Sequence, residues 1–106
     1  ASPPVRVRLC GLALPERTVA EAQGSITQIC LGRRVRLRFD RRRVRNSSGE
    51  LIAYVEMADG SLLNERLLAA GHCRADPGLV HERLPLFELL EAQARYDGVG
   101  AWAARH

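Results

Sequence analysis

The chain has 106 residues, of which 46% are hydrophobic, so it is long enough for one domain with a modest core and too apolar for a disordered segment. All 16 basic residues are arginine and the net charge is +4; guanidinium groups suit phosphate, although a chain without lysine is also typical of a GC-rich genome. No apolar run approaches the length of a membrane span and no signal peptide is recognisable, which leaves the compartment open.

We expect a single domain over residues 1–106, with residues 1–4 as a linker remnant. The three cysteines, Cys10, Cys30 and Cys73, are odd in number and widely spaced, which argues against a disulfide framework and a zinc site. Buried free thiols are the expected role, and a reducing compartment is compatible with them.

The first predicted element is a strand over residues 5–10, where apolar and polar residues alternate. Gly11 breaks the alternation and Pro15 ends it. Arg8 lies on the polar face and Glu16 follows just past the strand. A fold could therefore hold this guanidinium and this carboxylate over one cleft.

A helix is predicted over residues 18–31. Thr18 and Glu21 have the spacing of a capping box, and Gly32 follows where a glycine commonly ends a helix.

A long β-hairpin is predicted next, with strands over residues 33–40 and 51–57 joined by a polar loop. The first strand carries three arginines on one face, namely Arg34, Arg36 and Arg38. The loop adds four more, namely Arg41, Arg42, Arg43 and Arg45. These seven arginines are the candidate nucleic-acid contacts, and a solvated loop with an exposed strand face is the alternative.

The second half of the chain is predicted to be mainly helical. Asn64 is expected to cap a short helix that ends at Gly71, and a short strand follows near residues 72–75. The last helix is predicted over residues 84–96, with an inner face of Leu86, Phe87, Leu90 and Ala94. Trp102 is expected to pack against the body of the domain.

Four ordered segments, together spanning residues 5–102, resemble the staphylococcal nuclease (thermonuclease) family. Arg8 followed by Pro15 and Glu16 is similar to the family's strand arginine and Asp-Thr-Pro-Glu turn. The other similar segments are Gly-Glu-Leu-Ile-Ala-Tyr-Val at 49–55, an Asp-Gly turn at 59–60 with the helix pattern at 63–71, and Glu-Ala-Gln-Ala-Arg at 91–95 with Gly-Ala-Trp at 100–102.

The resemblance implies a fold that is mainly β with helices, an OB-type barrel of five strands. The family's first two strands have no evident counterpart in this sequence, so the barrel is expected to have an open edge. Unpaired edges are normally covered, which leads us to expect a protein partner or self-association there.

The resemblance also implies catalytic positions. In the family, a calcium ion and two arginines stabilise charge on the phosphate, and a glutamate activates water. Arg8 and Glu16 match the first arginine and the glutamate. Glu50 stands at the position of the second arginine, and Ala13 at that of a metal-binding aspartate. We therefore expect no metal and no other cofactor, and calcium only if the chain is an active nuclease.

Three functions remain open. The first is a catalytically degenerate nuclease-like domain that binds nucleic acid or a protein partner through the arginine-rich hairpin. The second is an active thermonuclease-type phosphodiesterase for DNA or RNA whose missing parts come from elsewhere. The third is a purely structural protein-interaction module. None of them involves a membrane or a small-molecule cofactor.

Overall fold

The computed structural model describes residues 7–13, 34–42 and 44–103. The predicted helix over 18–31, together with Glu16, Cys30 and Arg43, lies outside the described residues.

The described chain forms five short strands, two α-helices and one 3-10 turn. In chain order these are β1 (Val7–Leu9), β2 (Leu12–Ala13), β3 (Arg36–Arg38), β4 (Leu51–Glu56), α1 (Leu63–Ala69), β5 (Arg74–Ala75), α2 (Leu84–Asp97) and a 3-10 helix (Gly100–Trp102). One sheet has the order β1-β4-β3, with β1 parallel and β3 antiparallel to β4. β2 and β5 form a second, antiparallel pair. Neither α-helix is long and apolar enough to cross a membrane.

The described part of the chain is a small mixed α/β domain of two α-helices and two small sheets, which confirms the coarse expectation of strands combined with helices. Its two sheets remain separate there, without barrel closure. The two sheets stay separate because the strands are short. Arginines alternate over residues 33–40 of the sequence, yet β3 pairs with β4 over only three residues. Strands of two or three residues form too few ladder hydrogen bonds to close a barrel.

The core is built around β4, whose four central residues are buried as its apolar sequence predicts. Tyr54, Leu63, Leu67, Leu68 and Phe87 are its largest apolar side chains, each at most 1% exposed. Cys10 and Cys73 are buried free thiols, as expected, and burial raises the pKa of Cys73 to about 12.

Helix α2 begins and ends where the sequence predicts. Proline lies in its first turn, and Gly98 ends it with a left-handed φ of 65°. Phe87 and Ala94 are buried, but Leu86 is 39% exposed, so its assignment to the inner face is wrong. The inner stripe is narrower than predicted because α2 contacts mainly α1 and β5, along one side.

The predicted capping role of Asn64 is also wrong. The residue before α1 is Leu62, and Asn64 lies inside the helix with its side chain fully buried. Its Oδ1 accepts from the Val55 amide at 2.9 Å, and its Nδ2 donates to the Cys10 carbonyl oxygen at 3.0 Å. Asn64 therefore links α1 to β4 and to the end of β1 through buried backbone groups of both strands.

Candidate nucleic-acid interface

Arg8, the predicted catalytic arginine, is held by a neighbouring carboxylate. It lies on β1 opposite Ile52, and its Nε is 3.4 Å from Oε1 of Glu50. Glu50 is oriented in turn by Asn46, whose Nδ2 donates to the same oxygen at 3.0 Å. The guanidinium that would contact a phosphate is therefore partly neutralised within the chain.

The other described positions that the resemblance singles out, such as Ala13, do not form a metal site in the described residues. Ala13 lies on β2 opposite Arg74 and offers a methyl group. The cleft beside Arg8 has a volume of about 260 Å³, and Asp76 is the only carboxylate among the residues that line it in the described part. No group of three or more His, Cys, Asp or Glu side chains that could hold a metal occurs in that part.

The strand arginines line a larger groove of about 600 Å³. Arg34, Arg36 and Arg38 form one wall, and the end of β4 with the turn after it forms the other. Residues two apart on an extended strand point to the same side at intervals of about 6.6 Å. Alternation therefore places Arg36 and Arg38 on the same side of β3, and Arg34, just before the strand, lines the same groove, so the three arginines form one row; we call this surface the cationic groove.

The charge of the cationic groove is only partly compensated. Glu56 is the one carboxylate in its described lining, and it pairs with Arg38 at 3.2 Å. Arg34 and Arg36 form no ion pair with any carboxylate of the described residues, and both are exposed. Two guanidinium groups in the row thus remain available to an anionic ligand.

The arginines of the hairpin loop are more constrained than their sequence indicates. Nη1 of Arg42 lies 3.5 Å from Oδ2 of Asp40, and Nη1 of Arg45 donates to the Gly49 carbonyl oxygen at 2.8 Å. Arg41 is exposed and has no carboxylate partner in the described chain. The loop is therefore a weaker candidate for phosphate contact than the cationic groove.

Asp40 anchors the hairpin to the start of α2, which sequence reasoning missed. It is 3% exposed, and Oδ2 accepts from the Glu82 amide at 2.7 Å while Oδ1 accepts from the Arg42 amide at 2.8 Å. Burial by itself would raise the pKa of Asp40, but the two backbone donors, together with the charges of Arg42 and His81, hold the pKa below its usual value. A single aspartate after an arginine-rich run carries no local signal for such a partner 42 residues away.

A buried polar cluster lies beneath the turn between β1 and β2. The Tyr54 hydroxyl is 2.6 Å from Nδ1 of His81, and His81 packs against Gly11 and Phe87. Burial lowers the pKa of His81, and nearby carboxylates led by Asp40 offset part of that effect. Gly11 has a φ of 76°, and a Cβ there would overlap the His81 ring. His81 is thus a packed core residue.

Neither a scan against protein-family models nor a search of curated proteins found a match to this chain. The likeness to the staphylococcal nuclease family therefore rests on the residues and their order alone.

Proposed function

We propose that this domain is a catalytically degenerate relative of the staphylococcal nuclease family, with a reduced OB-type fold, and that it binds nucleic acid through the cationic groove. The observation that carries the proposal is the row of Arg34, Arg36 and Arg38 along a groove with one compensating carboxylate. Arg41, Arg42 and Arg45 flank the row and add to the attraction.

The chemistry of the groove favours a phosphate polymer. A guanidinium group donates to phosphate oxygens through a planar fork, and its charge persists at every physiological pH. A row of such groups at regular intervals matches a ligand whose anionic groups also repeat at regular intervals. Among the described aromatic residues, Tyr54 and Phe87 are buried, and the exposed Phe39 and Tyr96 do not line the groove, so base stacking is not part of the proposal.

Loss of catalysis is supported by two substitutions. Glu50 brings a carboxylate to Arg8 where the family has a second arginine, and Ala13 has no side-chain oxygen to offer a cation. Removing one preorganised charge stabiliser typically lowers a rate by about 10²–10³. Binding without turnover is the function that this arrangement supports best.

The test removes three charges from the groove and compares the result with an equal loss from the loop. We expect Arg34→Gln/Arg36→Gln/Arg38→Gln to reduce the log–log salt slope of single-strand binding by about 1.4, since two unpaired guanidinium groups are lost and each phosphate contact contributes about 0.7. Fluorescence anisotropy with labelled oligonucleotides across a salt series measures the slope.

The matched control is Arg41→Gln/Arg42→Gln/Arg45→Gln, which changes the net charge equally. It should reduce the slope by less than half as much. Equal losses in the two variants would place the contact elsewhere. No binding by the unmodified protein at low salt would overturn the proposal in favour of a protein-interaction module.

Freeing Arg8 should strengthen nucleic-acid binding. Glu50→Gln removes the carboxylate beside the Arg8 guanidinium, so we expect an additional phosphate contact and a salt slope steeper by about 0.7. Glu65→Gln changes the net charge equally but frees Arg83 on the α1 side of the domain, and serves as the control in the same anisotropy series. If the two variants behave alike, Arg8 does not contact the ligand.

A further inference from the structure

Helix α2 is apolar on two opposite faces. Phe87 and Ala94 are buried against the domain. On the far side, Leu89 and Tyr96 are 64% and 89% exposed, and two further exposed residues, Pro85 and Ala92, complete the row. A helix that is apolar on both faces is normally buried on both. The exposed outer row therefore indicates a binding surface for a partner. This inference does not depend on the cationic groove.

We propose that the outer row of α2 is a self-association surface, on which a second copy of this chain packs its own α2 in antiparallel orientation. The spacing of Pro85, Leu89, Ala92 and Tyr96 alternates between four and three residues, which is the spacing of a helix–helix seam. A two-fold axis near the middle of the row pairs each large residue with a small one.

The apolar layers of this arrangement are complementary in size. Leu89 packs against the partner's Ala92, and Tyr96 packs against the partner's Pro85. The same contacts recur on the other side of the axis, as an isologous interface requires. A side chain as small as that of Ala92 near the centre allows the two helices to approach closely.

The charges beside the row are also complementary to themselves. Glu88 and Arg95 flank the row on the same side, seven residues apart, and both are exposed. In an antiparallel pair, Glu88 comes opposite the partner's Arg95, and Arg95 opposite the partner's Glu88. In a parallel pair the two copies of Glu88 and Arg95 lie on opposite sides of the seam, so neither charge meets its complement. Arg95 also contacts Glu91 at 3.0 Å and lies 4.1 Å over the Trp102 ring within its own chain, so the contact with the partner's Glu88 is added to an ion pair that already exists.

The interface is small. A helix of 14 residues is about 21 Å long, and one helix pair of that length buries less than the roughly 800 Å² per partner of a standard interface. We therefore expect a weak dimer that dissociates on dilution.

Sedimentation velocity over a dilution series tests the proposal. Leu89→Glu should weaken dimerisation by at least about 100-fold, because the change occurs twice in each dimer. Val7→Glu places the same charge at a 38% exposed valine on β1, an edge strand of the three-stranded sheet. It should leave the dimer intact. Circular dichroism checks that both variants are folded.

A mixture of two charge-swapped variants distinguishes contact between charges across the seam from a loss of folding. Glu88→Arg and Arg95→Glu should each weaken self-association by about tenfold, because each puts like charges opposite one another. An equimolar mixture should dimerise again, since every pair across the seam is then of opposite sign. A monomer at all concentrations, a dimer lost in Val7→Glu but kept in Leu89→Glu, or a mixture no more dimeric than its components would overturn the proposal.

Discussion

Replacing Asn64 with alanine should lower the free energy of unfolding by about 3–5 kcal/mol. The substitution leaves the Val55 amide and the Cys10 carbonyl oxygen buried without their partner, and each such group costs about 1–3 kcal/mol. The Ala53 carbonyl oxygen, 3.3 Å from Nδ2 of Asn64, keeps its bond from the Cys10 amide at 2.8 Å. A small cavity adds to the loss.

Asn46→Ala is the matched control for that measurement. Asn46 also accepts from two backbone amides, those of Ser48 and Glu50, but it lies in a partly exposed turn where water can replace it. We expect a loss of about 1 kcal/mol in urea unfolding. If Asn64→Ala costs no more than Asn46→Ala, the buried amide does not link the helix to the sheet as described.

Replacing Gly71 with alanine should cost about 2–5 kcal/mol. Gly71 follows the end of α1 with a φ of 77°, which costs an L-residue about 1–2 kcal/mol. A Cβ there would overlap the Val99 carbonyl oxygen, and backbone at this contact cannot rotate away as a side chain can. The Gly71 carbonyl oxygen also accepts from the Ala101 amide at 3.0 Å, so the clash would separate α1 from the 3-10 helix.

Gly60→Ala separates the cost of the positive φ from the cost of the steric overlap. Gly60 has a similar φ of 87°, but a Cβ there would have no atom within 4 Å. Its substitution should cost only the conformational part, about 1–2 kcal/mol. Equal losses at Gly60 and Gly71 in thermal and urea unfolding would show that close packing of the backbone at Gly71 contributes nothing.

Much of the local structure follows from the sequence alone. The apolar run at 51–56 predicts a buried strand, and β4 is that strand. Proline near residue 85 and Gly98 predict the two ends of α2, and Gly71 predicts the end of α1, because these residues restrict or extend the backbone angles at their own positions. Alternation likewise predicts that the strand arginines share one side. Such signals depend only on neighbouring residues, so the predicted local structure does not change with the tertiary contacts of the rest of the chain.

Only the tertiary structure decides which of the polar residues have partners. Asn64 reads as a helix cap, yet it bonds to backbone up to 54 residues away. Glu50 is singled out from the sequence only as the position of a missing arginine, yet it holds Arg8, and Asp40, which carries no local signal, anchors the start of α2. Leu86 is predicted to lie on the inner face of its helix, and only packing shows that it faces outward. Partner choice depends on distances across the fold, which composition and spacing do not encode.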